Sequence, residues 1–324
     1  MKTDNDLIKI LVGLNAALFC TDGLALKIIT VPHINKSRLG DISSLLSGGI
    51  NQASTLTLEK EMLTIIFNLT SIQPKYIEQL YTFADKGRDP RELIYKSRVI
   101  SIAYMGVVKH SHISDVDNFS WEGVYQFLPW EDKRYPDKKM VHLIEDFLIA
   151  WSQKESDLDI RKEKKNRIDI CFGTGSSQWD AYKVLDRYEL LYESKFLQEY
   201  LYDQGKQVSH KNVFTGTPMA FDHRRILATA LARIRGKLRY RPLVFDFLPE
   251  EFTLLDLQNV VEELTGTLVH KQNFRRLIEN AKLVEGTGRK ESNNSGRPAE
   301  LFCFRKAVLV EKRAPGLGGI KSLK

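Results

Sequence analysis

The stretch from Phe252 to Arg305 decides how the chain is read: FTLLDLQNVVEELTGTLVHKQNFRRLIENAKLVEGTGRKESNNSGRPAELFCFR. Thr253 stands before an apolar run and Asp256 follows three residues later, the spacing of a capping box. Leu254, Leu257, Val260, Val261 and Leu264 recur at helical spacing, and Gly266 supplies a C-terminal stop. A second helix carries Phe274, Leu277, Ile278 and Ala281 on one face. Leu283-Val284 and Leu301-Phe302-Cys303-Phe304 then flank a polar, glycine-containing stretch, which reads as a two-stranded ribbon with a long basic tip. Helix, turn, helix and ribbon in that order predict a winged helix-turn-helix.

The second helix has a polar back. At 100° per residue from Phe274, Gln272, Arg276 and Glu279 fall on the far side, with Asn273 and Arg275 flanking them and Lys271 at the helix start. Gln, Asn and Arg match the donor and acceptor pattern of major-groove base edges. Arg289, Lys290 and Arg297 at the ribbon tip suit phosphates or a minor groove. These eight residues, Glu279 apart, are the candidate DNA contacts. The alternatives are a plain solvated helix beside a hairpin, or a winged helix that contacts only protein.

Charge agrees with the first reading. The 324-residue chain has a formal net charge of +7. From Arg224 to Lys324 there are 20 Lys and Arg against 11 Asp and Glu, a balance of +9, so the remainder carries −2. The basic half is the one with the helix-turn-helix, which favours a nucleic-acid partner there. A composition of 43% hydrophobic and 27% charged residues is globular, and no apolar run approaches the ~20 residues of a membrane span. No signal-peptide core follows Met1 to Asp6, so a cytoplasmic location is expected. Cys20, Cys171 and Cys303 are odd in number, far apart and set among apolar neighbours, which predicts buried thiols and neither a disulfide framework nor a zinc site.

Upstream, Ile8–Val12 and Leu14–Phe19 read as strand, Thr21-Asp22-Gly23 as a turn, and Leu24–Val31 as a second strand. Pro32–Leu45 reads as a polar loop, and Gly48-Gly49 as a place where the backbone bends or is closely approached. Leu56–Leu69 is a helix, and Tyr76–Phe83 and Arg98–Val108 are strands. The order predicts an α/β or α+β domain with a mixed sheet.

Hairpin, Gly-Gly, helix, then YIEQLYTFADKGRDPR and VISIAYMGVV resemble a Nudix-type domain. FDHRRILATALARIRGKLRY and FTLLDLQNVVEEL, with NFRR and GRPAELFCF, resemble the remainder of the Nudix-related transcriptional regulators, the NrtR-like family. The resemblance covers about residues 8–108 and 217–306. It implies an α+β protein in which a Nudix-like α/β/α sandwich precedes the winged helix. It also implies a dimeric bacterial regulator that binds a palindromic operator in double-stranded DNA. Such regulators govern NAD-metabolism or sugar-utilisation genes, and some respond to ADP-ribose or related nucleotides. The corresponding division is 1–236 for a sensor and dimerisation domain, 237–310 for the DNA-binding domain, and 311–324 for a flexible basic tail.

A Nudix hydrolase needs an Arg-Glu pair and then a Glu-Glu pair on its helix, to hold divalent metal and position water. Aligned on Leu58-Glu59, those places fall on Thr64 and Ile65 and on Asn68 and Leu69. Glu59 and Glu61 come a turn too early and diverge around the helix. The expectation is a degenerate Nudix box, with no catalytic residues, metal or cofactor. A pocket can outlive the chemistry. Arg88, Asp89 and Arg91, with Ser101, Tyr104, Gly48 and Gly49, are the candidates for holding an effector such as a nucleotide-sugar or an ADP-ribose-like compound. The alternative is a loop-anchoring ion pair and a core tyrosine.

Residues 109–216 depart from the family pattern, with a divergent insert at about 146–216. Ser120–Gly123 reads as a last strand, Lys139–Trp151 as a helix, and Gln153–Arg167 as a solvated charged run. Gly173–Ser177 has no following Lys-Ser or Lys-Thr and reads as a turn. Trp179–Asp203 reads as one long amphipathic helix with a stripe through Val184, Tyr188, Leu191, Tyr192, Phe196 and Tyr200. Asp222-His223 opens a basic helix to Arg239 that joins the domains and adds sequence-blind DNA affinity, and Pro242–Leu248 is a short strand. His223 has no nucleophile or acid near it in sequence. Three functions are compatible with these features: a ligand-responsive regulator, a nucleoside-diphosphate hydrolase with a basic appendage, and a constitutive DNA-binding or scaffold protein.

Overall fold

Strand β1 (Ile10–Thr21) is the axis of the molecule. In the computed structural model, which describes residues 10–35, 40–51, 53, 56–109, 118–204, 215–291, 298–311 and 316–317, it runs parallel to β6 (Arg98–Val107) over its length, from Ile10 opposite Arg98 to Phe19 opposite Val107. On its other edge, Gly13–Ala16 pair with β4 (Leu46–Gly49), and Phe19–Thr21 pair with β2 (Leu26–Asn35). Strands β3 (Gly40–Ser44) and β7 (Ser120–Gly123) both pair with β2, and β5 (Tyr76–Phe83) closes the far edge beside β6. The result is a mixed seven-stranded sheet. The expected polar loop over 32–45 is thus largely strand. On β3, Ser44 Oγ donates to the Val31 carbonyl and Ser43 Oγ to Glu122.

The alternation of β1 and β6 sorts the core into two layers. Leu14, Ala16, Leu18 and Tyr104 face α1 (Leu58–Thr70), which contributes Met62 and Ile66. Ala17, Phe19, Ala103 and Met105 face the opposite side, where α8 (His223–Leu238) lays down Ile226, Leu227, Ala230, Leu231 and Ile234. This is the expected α/β/α sandwich. Between the strands and α8 the chain adds α2 (Arg91–Tyr95), α3 (Val124–Phe127), α4 (Lys138–Gln153), α5 (Leu158–Phe172), α6 (Val184–Glu193) and α7 (Gln198–Asp203). The charged run is the exposed face of α5. Gly173 caps that helix in the left-handed region at φ 68°, and Thr174 closes the turn on Asp169, so Gly173–Ser177 is a helix stop.

The single helix expected over Trp179–Asp203 is two. After α6, Lys195 takes φ 66°, Phe196 N–H bonds to Leu191 O and Lys195 N–H to Tyr192 O, the paired bonds of a Schellman stop. A lysine fills the position usually given to glycine, so the sequence carries no warning of the break. The expected strand over 242–248 is instead a 3-10 turn, Leu243–Asp246.

Helices α9 (Leu254–Thr265) and α10 (Lys271–Ala281), with β8 (Val284–Glu291) and β9 (Ala299–Phe304), complete the winged helix. Both halves of the Thr253–Asp256 capping box are present, and Gly266 caps α9 at φ 67°. Phe252 exchanges both backbone bonds with Phe302, which ties the wing to the segment before α9. Phe245 stacks on Phe304 with ring centroids 4.5 Å apart, and Phe274 and Ile278 fasten α10 beneath. A short α11 (Val308–Glu311) follows. Of the tail expected to be flexible, Gly316 and Leu317 are docked. Leu317 is buried in the core, and its N–H bonds to Leu238 O at the end of α8. Cys20 and Cys171 are buried, with burial pushing the Cys20 thiol up to about 12, whereas Cys303 is only half-buried.

Candidate functional site

Helix α10 owes its orientation to two side chains. Phe274 and Ile278 point inward, so Lys271, Gln272, Asn273, Arg275, Arg276 and Glu279 are left exposed. Among the described residues Lys271, Arg275 and Arg276 have no carboxylate partner. Their donors are available to a ligand that brings its own acceptors. The wing stands alongside. Its strands slip register between Gly286 and Lys290, with Gly288 at φ 74° inside the slip, and Thr287 Oγ1 bonds Leu301 O. Lys290 is exposed and unpaired among the described residues, whereas Arg289 is held by Glu251. Arg297 lies outside the described residues.

The cations of α8 are arranged in the opposite way, and this corrects the expectation that α8 is a DNA-facing basic helix. Arg224 is fully buried, with its guanidinium on Glu199 at 3.0 Å and on the Phe127 carbonyl at 2.7 Å. Arg225 bonds Glu189, Asp85 and Asp222. Lys237 meets Glu78 at 2.7 Å, and Arg233 approaches the same carboxylate. Arg235 shares the buried Glu131 with Arg187 of α6, at 2.6 and 2.5 Å. Burial opposes the charge on Glu131, but the two guanidinium groups outweigh it and hold the carboxyl below its usual range. Helical spacing announced these cations; the carboxylates that neutralise them come from distant segments and could not be placed from sequence.

This charge cluster also grips the winged helix. Arg235 Nε donates to Leu264 O at 3.1 Å, Lys133 N–H to Gly266 O at 2.7 Å, Tyr125 Oη–H to Glu263 O at 2.5 Å, and Thr21 Oγ1–H to the Glu263 carboxylate. The end of α9 is therefore bonded to the sandwich by both side chain and backbone.

The candidate effector residues do not meet in one place. Arg88 leaves its loop to bond Glu189 at 2.8 Å and Asp222 at 3.4 Å, and it lies 3.8 Å from the Tyr192 ring centroid. Asp89 is buried and accepts from Arg91 within the loop, while Arg91 stacks over Phe221 at 4.3 Å. Ser101 follows the alternation that faces α8, while Tyr104 is core on the α1 side. Gly48 also faces α1, where a Cβ would come within 2.8 Å of Ile65; Gly49 faces open space. The loop arginines thus act as anchors, and the sheet separates Ser101 from Tyr104. On α1, Glu59 is exposed and Glu61 is turned inward to accept from Asn51 N–H at 2.5 Å, so the two diverge as their spacing implied. His223 is buried. Its Nδ1 accepts from Leu45 N–H at 3.0 Å, which leaves Nε2–H to donate to Asn15 Oδ1 at 3.0 Å. Burial, with Arg91 and His33 nearby, lowers its pKa to about 3, so it is a neutral structural imidazole.

A Nudix-like sandwich carrying a winged helix defines a two-part architecture. Residues 244–304 match the NrtR DNA-binding winged helix domain. A curated relative, the ADPR responsive transcriptional repressor NtrR of Acinetobacter baylyi, is 40% identical over 87 residues. That stretch spans 26% of this chain and about a third, 34%, of the relative. Among solved structures, Shewanella oneidensis NrtR complexed with a 27mer DNA matches with a TM-score of 0.53 and 22% identity, covering 97% of this chain and 98% of that one. A MutT/nudix family protein from Enterococcus faecalis matches with a TM-score of 0.52 and 15% identity, covering 93% and 90%. Both share the fold. Among the described residues no helix is long and apolar enough to cross a membrane.

Proposed function

We propose that this protein is a dimeric DNA-binding transcriptional regulator, working in the cytoplasm where its DNA is. The observation that carries the reading is the contrast between its helices. The α8 cations are consumed by internal carboxylates, while Lys271, Arg275 and Arg276 on α10 are uncommitted beside Gln272 and Asn273. Gln272, Asn273 and Arg276 read base edges, and Lys271, Arg275, Lys290 and Arg297 meet phosphates. Arg289 joins them by exchanging Glu251 for a phosphate. Selection of bound fragments from the host genome tests this. A recurrent palindrome is expected, and fragments without common sequence would remove the base-reading role.

The Nudix-like domain, in this reading, binds an effector without hydrolysing it, or serves only for dimerisation. Support comes from α1, where Thr64, Ile65, Asn68 and Leu69 occupy the places a Nudix hydrolase gives to Arg-Glu and Glu-Glu. The repressor similar to this chain is named as ADPR responsive, which makes ADP-ribose the first compound to try. Incubation with magnesium and ADP-ribose should give no turnover. A shift in thermal unfolding or operator affinity with ADP-ribose or a nucleotide-sugar marks an effector, and the absence of any shift leaves dimerisation as the domain's role.

A further inference from the structure

An open, solvent-facing cavity of about 680 Å³ lies between the insert and the end of α8, lined by Asp180, Tyr182, Gly236, Arg239 and Tyr240. Its volume is that of small-molecule sites. It belongs to neither the α10 face nor the α1 side of the sheet.

Gly236 is the first pointer to an occupant. It sits inside α8, where glycine is the least favourable residue after proline. Its φ is not left-handed, and a Cβ there would meet nothing within 4 Å. Neither its backbone conformation nor packing among the described residues calls for glycine, yet a side chain at this position, on the cavity lining, would project into the cavity. Arg239 is the second. Its guanidinium lies 5.3 Å from the Tyr182 ring centroid, and among the described residues it has no ion pair, unlike Arg224, Arg225, Arg233 and Arg235 of the preceding turns. Tyr182 and Tyr240 are 43% and 46% exposed, leaving aromatic surface open to the cavity. Asp180 spends Oδ1 on Tyr182 N–H at 2.8 Å and keeps Oδ2 as an acceptor.

We propose that this cavity is a binding site for a nucleoside monophosphate. The base packs against Tyr182 and Tyr240, the phosphate pairs with Arg239, and the ribose hydroxyls donate to Asp180. The wall of the site is also part of the grip on the winged helix. Asp180 O accepts from Arg187 at 2.8 Å and Ala181 O from Arg235 at 3.0 Å; both arginines bind Glu131, and Arg235 reaches Leu264 O. An occupant that shifts residues 180–182 therefore acts on the end of α9. This regulatory half rests on the proposed DNA-binding function; the binding half does not.

Calorimetric titration of the full chain with AMP, adenosine and inorganic phosphate tests the site, using wild type, G236L and R239A with thermal unfolding alongside. AMP should bind wild type at least tenfold more tightly than either variant. R239A should keep its affinity for adenosine, and G236L should melt no lower than wild type. Failure of AMP to bind, or equal binding to G236L, overturns the site. Loss of DNA affinity in R239A without any AMP binding also overturns it, and assigns the cavity to the DNA surface. AMP binding that leaves DNA affinity unchanged overturns the link to the winged helix. If the protein binds no DNA at all, calorimetry still decides the site.

Discussion

Arg276 and Arg235 are both helical arginines of the basic half, and their surroundings give them opposite duties. Arg276 is exposed and unpaired among the described residues, so its fork can take a base edge. Arg276→Ala should cost ~1–3 kcal/mol on the preferred operator and little on random DNA. Lys290→Ala should weaken both alike; fluorescence anisotropy on the two DNAs gives the comparison, and equal losses for both variants would contradict the base-reading role. His223 has a different kind of consequence. Its folded pKa of about 3 lies below the ~6.5 of a free imidazole, so its contribution is complete above that value and is lost as pH falls toward 3. The decline from this one group is about 1.4 kcal/mol per pH unit. His223→Gln cannot take up the proton, so chemical denaturation between pH 6 and 4 should show a shallower fall in stability than wild type. A parallel fall would mean that His223 charges freely in the folded state.

At the scale of elements, legibility tracks how local the determinants are. The α9 cap, the Gly266 stop and the Phe274–Ile278 face depend on residues within a few positions of one another, and all three were readable. The stop at Lys195 depends on a left-handed lysine, which has no sequence signature. β3 was hidden because Ser43 and Ser44 read as loop residues, whereas they bond Glu122 and the Val31 carbonyl across the sheet. The candidate effector residues looked adjacent in sequence, but pairing in the loop and alternation along β6 sent them to different places. α8 is the largest case: its cations were visible, and the carboxylates that bury them were not. The same distinction can be measured. Lys271→Ala should lower the slope of log affinity against log salt by about 0.9 if it meets one phosphate. Arg235→Ala should leave that slope unchanged and destabilise the fold by ~3–5 kcal/mol, since Glu131 then lacks half of its compensation. Denaturant melts and salt titrations of both variants make the test, and a salt-slope change in Arg235→Ala would return α8 to the DNA surface.

At the scale of the molecule, the winged helix is joined to the sandwich as one packed body. The core around α8 continues into Leu257, Val260, Leu264, Phe274 and Leu317 without a break. Gly266 shows how close the fit is. It takes φ 67°, and a Cβ would run into the Glu131 carbonyl. Gly266→Ala should therefore cost ~2 kcal/mol or more from strain and overpacking. It should also lower operator affinity although it touches none of the α10 face; unchanged affinity in a folded variant would show that the seam does not orient the domain. In the proposed dimer this attachment has a geometric consequence. Two recognition helices fixed to their bodies can meet only half-sites at one separation and one helical phase. Adding about 5 base pairs between half-sites turns one of them to the opposite face of the duplex, since a B-DNA turn is about 10 base pairs. Tethers free to swing would absorb that change, whereas the bonds from Arg235, Lys133, Tyr125 and Thr21 to residues 263–266 give no such freedom. Electrophoretic mobility shifts on the selected operator and on its 5-base-pair insertion should show affinity falling to that of a single half-site. Full affinity for the insertion would mean that the winged helices move independently of the sandwich, and that the seam opens whenever DNA is bound.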